Sequence, residues 1–452
     1  MAIIIGGGAS ATVPASSGTI FSQFPMTQLW GDGDSKGGEG LGAFTWAVAR
    51  LNLDLWVGGK SFSVGGSTTA NGTSPLGLTN ATRLATITSA IEAATTAGEI
   101  VDIVLTIGTN DVGLSAIPSE TTIANVKIYH DAIRNAGCRY LFLMSIDPRS
   151  GLTATKQAMI NSTNKAYEDY CRRVSDAFYV DTIGYLIDPT STTFGPIGGD
   201  TGGTFAISAD GLHCSGYGIY RKSFAVEGVA QWLYRARPLE ILATGNAYNT
   251  STSIRGNILG SGGRFLAIGG TDAFVKTDTS SVTGTPPATF RTDGTLNGDT
   301  SLVYTVSTCD ALGEMFGGTW PCVNVALAGT PASSTNIQIA GRFAAFTFPA
   351  GTRMRGRALV NLKSVTGLAR LFLSTQNVTP AQFCYLGTSS AVTAEGELPE
   401  LNGLHVLDIV CDPSSALNCG LNLNIAGLAG RPLGGSIDLI GMDWRRADVI
   451  SA

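Results

Sequence analysis

Apolar positions along this chain follow two different spacings, one in each half. From Leu41 onward, Leu41, Phe44, Val48 and Leu51 recur at steps of three and four, which places them on one face of a helix. Leu84, Ile87, Ile91 and Ala94 repeat that pattern, and Gly98 follows where a helix C-terminus accepts a left-handed residue. The run EIVDIVLTIG (99–108) is instead continuous and β-branched, as expected of a strand covered on both faces. IANVKIYHDAIRNAG then CRYLFLMSI, and AMINSTNKAYEDYCRRV then FYVDTI, each read as a helix followed by a strand. A last helix is predicted over 215–235, with Tyr217, Tyr220 and Phe224 on its inner face. Such alternation predicts a parallel sheet with helices on both sides over residues 27–237.

Beyond Pro238 the helical spacing fades. Short strand-like runs take over, among them SLVYTVST, NIQIAGRFAAFTF, RALVNLKSV, ARLFLST, LHVLDIVC and GSIDLIGMDW, separated by Gly-, Thr- and Asn-rich turns. Residues 238–452 are therefore expected to form an all-β, jelly-roll-like sandwich, as one unit or two small modules. Residues 1–26 suit an N-terminal arm. Because the helix–strand alternation ends near 237, a fragment stopping there is expected to act alone.

Composition narrows the function. The chain has 452 residues, 44% of them hydrophobic and 14% charged, with a net charge of −5. That balance gives no electrostatic basis for binding nucleic acid or an anionic membrane. No apolar run approaches the ~20 residues needed to span a bilayer. The apolar N-terminal run, Ala2 to Ile5, is short and precedes any basic residue, so no signal peptide is recognised in this chain. Eight cysteines show no CxxC or Cys/His cluster, and no metal or organic cofactor is expected. Cys309 with Cys322 and Cys411 with Cys419 are candidate local bridges, buried free thiols being the alternative.

Only three histidines are available as a base. His130, inside a helical segment, and His405, inside a strand-like run, read as structural or surface residues. His213 lies in SADGLHCSGYG, three residues after Asp210 and just before a helix. One short turn can thus hold a carboxylate against one imidazole nitrogen while the other faces outward, the arrangement a serine nucleophile requires. A candidate nucleophile, Ser35, lies in GDGDSKGG behind a short apolar stretch. TIGTND (106–111) directly follows the strongest strand signal, and ligands of parallel sheets collect at such carboxyl ends. Asn110 could there donate to an oxyanion, and the glycines of SVGGSTTANG (63–72) would let a backbone N–H approach the same oxygen.

GDS, a Gly-rich turn, GTND and a late DGLH, in that order over about residues 27–236, resemble the SGNH (GDSL-like) hydrolase superfamily. The resemblance implies a three-layer α/β/α flavodoxin-like fold. It implies Ser35 as nucleophile, His213 as general base and Asp210 as its orienting carboxylate. The oxyanion hole would be the Ser35 N–H, the Gly66 N–H (in preference to Gly65) and the Asn110 amide. Two features depart from the family: PMTQLWGDG is short and partly polar, and Lys36 stands where an apolar residue often follows the serine. The activity implied is hydrolysis of short-chain, foremost O-acetyl, esters on carbohydrate or a bacterial surface polysaccharide, or of a small ester substrate. A lipase-like carboxylesterase and a glycan-binding tail fibre with an inactive hydrolase domain are the alternatives. The β-rich tail loosely resembles viral tail-spike deacetylases, which would make the protein virion-associated or extracellular and a homo-oligomer, a trimer if a viral tail protein. Trp320 and Trp444 are candidate sugar-stacking residues.

Overall fold

The computed structural model describes residues 27–191, 195–198, 207, 210–237, 259, 265–276, 279–341, 353–376, 378, 381–387, 396–411 and 420–446. The expected N-terminal arm and Cys419 lie outside these residues.

Five parallel strands, β1 (Thr27–Gly33), β2 (Trp56–Ser61), β3 (Ile100–Thr106), β4 (Tyr140–Met144) and β5 (Ala177–Val180), form a sheet in the order β2-β1-β3-β4-β5. This is the flavodoxin-like order. Alternate residues of each inner strand feed two cores, as the two-residue period of a strand requires. Leu29, Val104, Phe142 and Met144 face α1 (Gly37–Leu51) and α7 (Gly216–Leu233). Trp30, Ile103, Leu105, Leu141 and Leu143 face α2 (Ala81–Thr96), α4 (Ser119–Asn135) and α5 (Ala154–Cys171). The continuous apolar runs of β3 and β4 follow from burial on both faces. Two short helices, α3 (Thr109–Gly113) and α6 (Ile183–Leu186), close loops at the carboxyl end of the sheet.

The second half is one sandwich of two six-stranded sheets that share a core. The first sheet has the order β15-β12-β17-β10-β9-β7, with β7 (Ser281–Thr283), β9 (Ser301–Thr308), β10 (Pro321–Ala328), β12 (Met354–Thr366), β15 (Leu401–Cys411) and β17 (Gly434–Arg446). The second runs β14-β13-β16-β11-β8-β6, with β6 (Thr271–Lys276), β8 (Arg291–Leu296), β11 (Thr335–Gly341), β13 (Leu368–Gln376), β14 (Phe383–Gly387) and β16 (Gly420–Gly427). Val323, Val325, Val360 and Leu439 from the first sheet pack with Ile337, Leu371, Leu423 and Ile425 from the second. A short helix, α8 (Asp310–Phe316), caps one side. There Cys309 and Cys322 are free thiols in a small apolar cluster, so the first of the two candidate bridges is not formed. Burial favours the neutral thiol at both.

The two halves are not strung apart. Trp46, Ala49 and Ile219, on the side of α1 and α7 away from the parallel sheet, belong to the same apolar core as the sandwich. Trp46 packs edge-on against Tyr220 at 5.1 Å and His405 at 6.1 Å. The inner face of α7 therefore differs from the one expected. Val226 and Ala230 face the sheet, while Tyr220 and Phe224 are half-buried and pack toward Trp46 and Tyr185. A helix covered on two sides carries two apolar stripes, and the aromatic one masked the smaller residues that meet the sheet.

Candidate active site

The turn between β1 and α1 carries Ser35. Gly33 makes it possible: with φ +136°, a side chain there would place its Cβ 1.9 Å from the Thr106 carbonyl oxygen. The Asp34 N–H donates to that same carbonyl at 3.0 Å, so the turn carrying Ser35 is fastened to the end of β3. Ser35 itself is exposed, while burial pushes the neighbouring Asp34 carboxyl up to about 7 against the Lys36 N–H it accepts at 2.9 Å.

His213 comes from the turn before α7. Its Nε2 lies 2.8 Å from Ser35 Oγ and its Nδ1 2.6 Å from Asp210 Oδ2. The other carboxylate oxygen of Asp210 accepts the backbone N–H groups of Leu212 at 2.8 Å and His213 at 2.9 Å, which fixes the turn. Ser215 caps α7 immediately behind, its hydroxyl accepting from Gly218 N–H. With Nδ1–H donating to Asp210, Nε2 is left to accept the Ser35 hydroxyl proton.

Gly66 has φ +76° in the loop after β2, a conformation that favours glycine. Asn110 opens α3, and its Nδ2 donates to the Ser67 carbonyl at 2.9 Å. This bond orients the amide and ties it to the residue after Gly66, leaving its second N–H for another acceptor. Asp111 reinforces the same loop: buried, it accepts from the Thr69 N–H at 3.0 Å and the Thr122 hydroxyl at 3.2 Å. Ser35, Gly66, Asn110, Asp210 and His213 thus lie at the carboxyl end of the parallel sheet, Asn110 in α3 and the others on loops.

Sequence reasoning missed the charges beneath them. Arg83, buried in α2, pairs with Asp32 and donates to the Gly33 carbonyl at 2.6 Å and Ser67 Oγ at 2.7 Å. Behind the Ser35 and His213 turns, Asp147 accepts from Lys36 Nζ and Lys222 Nζ, both at 2.9 Å, and Lys222 lies 3.3 Å from Glu39. Glu39 in turn accepts the Cys214 N–H at 3.0 Å. Lys36 follows Ser35 and Cys214 follows His213, so this cluster ties the Ser35 turn to the His213 turn from within. Burial opposes charge on Asp147, but Lys222 and Lys36 outweigh it and hold the carboxyl well below its usual range. Burial likewise opposes both ammonium groups, and Asp147 overcomes it, raising them. Glu39, Asp147 and Cys214 have ligand-type atoms close enough for a metal, yet the two lysines already supply the positive charge there. The departure at Lys36 is thereby explained: the side chain turns inward, away from any substrate.

His130 and His405 are buried structural residues, His130 bonded to Tyr170 Oη at 2.6 Å and His405 to the Gly403 carbonyl at 3.0 Å. Trp444 is fully buried, and Trp320 packs on the cluster around Cys309 with its indole N–H donating to the Gly317 carbonyl. The sugar-stacking role expected of Trp444 is excluded by this burial.

The α/β half has the flavodoxin-like strand order, and GDS, GGS, GTND and DGLH lie together at one rim of it, as the resemblance to SGNH hydrolases implies. No family model and no curated protein matches the chain. Among solved structures, it is similar to a carbohydrate esterase family 3 protein from Talaromyces cellulolyticus (16% identity, 46% of this chain and 98% of that one, TM-score 0.32). It is also similar to TesA (17% identity, 46% and 99%, TM-score 0.32). A structure described as TmCBM61 in complex with β-1,4-galactotriose is similar over 33% of this chain and 90% of its own (11% identity, TM-score 0.20). Among the described residues, no helix is long and apolar enough to cross a membrane.

Proposed function

We propose that the protein is a serine esterase that removes short acyl groups, foremost acetyl, from carbohydrate. The observation that carries this reading is the unbroken chain Asp210–His213–Ser35, with bonds of 2.6 and 2.8 Å. His213 takes the hydroxyl proton as Ser35 attacks the ester carbonyl, and Asp210 stabilises the imidazolium that forms. The N–H groups of Ser35 and Gly66 and the unused N–H of Asn110 receive the oxyanion. His213 then protonates the leaving alcohol and activates water against the acyl-enzyme. Asp34 and Lys36 are both buried, so neither competes for the proton. An exposed Ser35 among small residues favours a short acyl group carried on a large substrate over a long chain needing a deep trough.

Acetate release from p-nitrophenyl acetate and from acetylated xylan tests the reading, beside a series of longer acyl esters. Ser35→Ala should lower turnover on the order of 10⁶-fold and Asp210→Asn on the order of 10⁴-fold. Turnover that survives Ser35→Ala, or rises steadily with acyl length, overturns it.

A further inference from the structure

The cations around the site fall into two groups. Those beneath it are neutralised, Lys36 and Lys222 by Asp147 and Arg83 by Asp32. Two on its rim are not. Arg149, in the loop after β4, and Lys156, in the first turn of α5, form no ion pair among the described residues and meet only carbonyl oxygens. Lys156 Nζ reaches the Gly113 carbonyl at 2.6 Å, while Arg149 Nη1 lies 3.4 Å from the Thr109 carbonyl, a marginal bond. The guanidinium rests instead on the end of α3. A Cβ on Gly113 would come within 2.2 Å of Nη1 and 3.6 Å of Nη2, so a glycine is what lets the group lie there. Its Nε is enclosed, but Nη2 is neither enclosed nor bonded and faces water.

Capping α3 does not account for two cations. That helix has five residues, and the carbonyls of Asn110 and Asp111 already accept the N–H groups of Leu114, Ser115 and Ile117. Lys156 serves the Gly113 carbonyl by itself. Arg149 is half-buried, so it loses hydration without gaining a counter-charge, an arrangement that an anion from outside completes. Position decides what that anion belongs to. Thr109 precedes Asn110, and the Ser150 N–H donates to the Gly211 carbonyl at 3.0 Å, inside the Asp210–His213 turn. Arg149 is thus held between Asn110 and the His213 turn, beside Leu114, which is 73% exposed.

We infer that Arg149, seconded by Lys156, binds an anionic group on the sugar chain whose ester reaches Ser35. The group is a carboxylate or a phosphate, the oxyanions that a guanidinium fork fits. The inference rests on the esterase reading and narrows its substrate from carbohydrate at large to an acidic, O-acylated one.

The full chain carrying Ser35→Ala, which cannot consume an ester, is applied to immobilised O-acetylated polygalacturonate and to the same polymer with its carboxyls amidated. A phosphate-bearing glucan and its phosphate-free parent form a second pair. The charged member of at least one pair should be retained about tenfold better at low salt, and the pair that shows this names the anion. Raising the ionic strength should shrink the preference. Arg149→Gln should abolish it, and Lys156→Met should reduce it less. Equal retention within both pairs, or a preference that survives Arg149→Gln, overturns the inference. So does a loss shared equally by charged and neutral members, the result expected of a side chain that merely props α3. Should Arg149→Gln fail to melt cooperatively, Arg149→Lys carries the test, because it keeps the charge without the fork; a several-fold smaller preference is expected, and an unchanged one counts against the inference. Cleavage of p-nitrophenyl acetate by the unaltered chain is scored separately. Its absence strikes the esterase reading and leaves the retention result standing, so the two failures are separable.

Discussion

Polar groups are buried in both halves of the molecule, but they are placed differently. In the α/β half they gather where the parallel strands end, and Asp147, Lys36, Lys222, Asp32 and Arg83 are all removed from water. In the sandwich, charged pairs lie on an outer sheet face, with Arg355, Lys363 and Arg445 each about a quarter to a third exposed. Parallel strands stop together at one rim, so loops that must carry chemistry also have to be braced there, and charge bridging several loops does this. An antiparallel sandwich has no such rim; its pairs keep Asp408, Asp438 and Asp443 buried but leave the cationic partner within reach of water. Removing one cation strands a buried charge in the first arrangement, whereas in the second a carboxylate such as Asp443 keeps another arginine.

Four measurements sharpen or break that contrast. The largest effect is expected from cutting the halves apart. A fragment of residues 27–237 would expose Trp46, Ala49 and Ile219, which lie in the shared core. It should aggregate or unfold, contrary to the independence suggested by the end of the alternation; a monomeric, cooperatively melting fragment by light scattering and calorimetry would show the interface to be dispensable. Next is Lys222→Met, which takes from Glu39 its 3.3 Å partner and leaves Asp147 one ammonium, that of Lys36, beside the Thr182 hydroxyl at 3.1 Å. Loss of about 3–5 kcal/mol in denaturant unfolding is expected, and adding Glu39→Gln should recover part of it.

His405 probes the seam between the halves. Burial depresses it from 6.5 to about 4, with Arg50 adding to the effect. Between those values the unfolded chain binds a proton that the folded chain does not. Its contribution is therefore complete above pH 6.5 and falls as pH drops toward 4, by about 3 kcal/mol. His405→Gln should flatten the difference in Tm between pH 7 and pH 4.5; an unchanged slope would mean the imidazole is charged in the fold. The smallest change is expected from Arg445→Ala, about 1 kcal/mol or less, because Arg357 still holds Asp443 at 2.9 Å. A loss as large as that from Lys222→Met would erase the distinction between the two halves.

How far residues could be read in advance followed the range of the interactions behind them. α2 was visible because Ile87, Ile91 and Ala94 all face one core, and β3 because both its faces are covered. The residues around Ser35 and His213 stood out through short motifs, and Asp210 is bonded to a residue three positions away. Arg83 and Lys222 gave no such signal. Each lies on an otherwise ordinary helix, where a lone cation reads as a solvated side chain, and their partners Asp32 and Asp147 are 51 and 75 residues distant. β8 and β16 were not singled out either: RTDGTL has little apolar signal, and in GLNLNIAG the two-residue period of Leu421, Leu423 and Ile425 is confined to a short run between glycines.

One consequence follows from α1. The helix starts two residues after Ser35 and carries Trp46 into the sandwich, a single rigid rod with chemistry at one end and an anchor at the other. Exchanging the β-module for another would therefore act on Ser35 as a wrench acts on a bolt. A chimera keeps its rate only if the graft reproduces the socket around His405 and Gly387 in which that rod is seated.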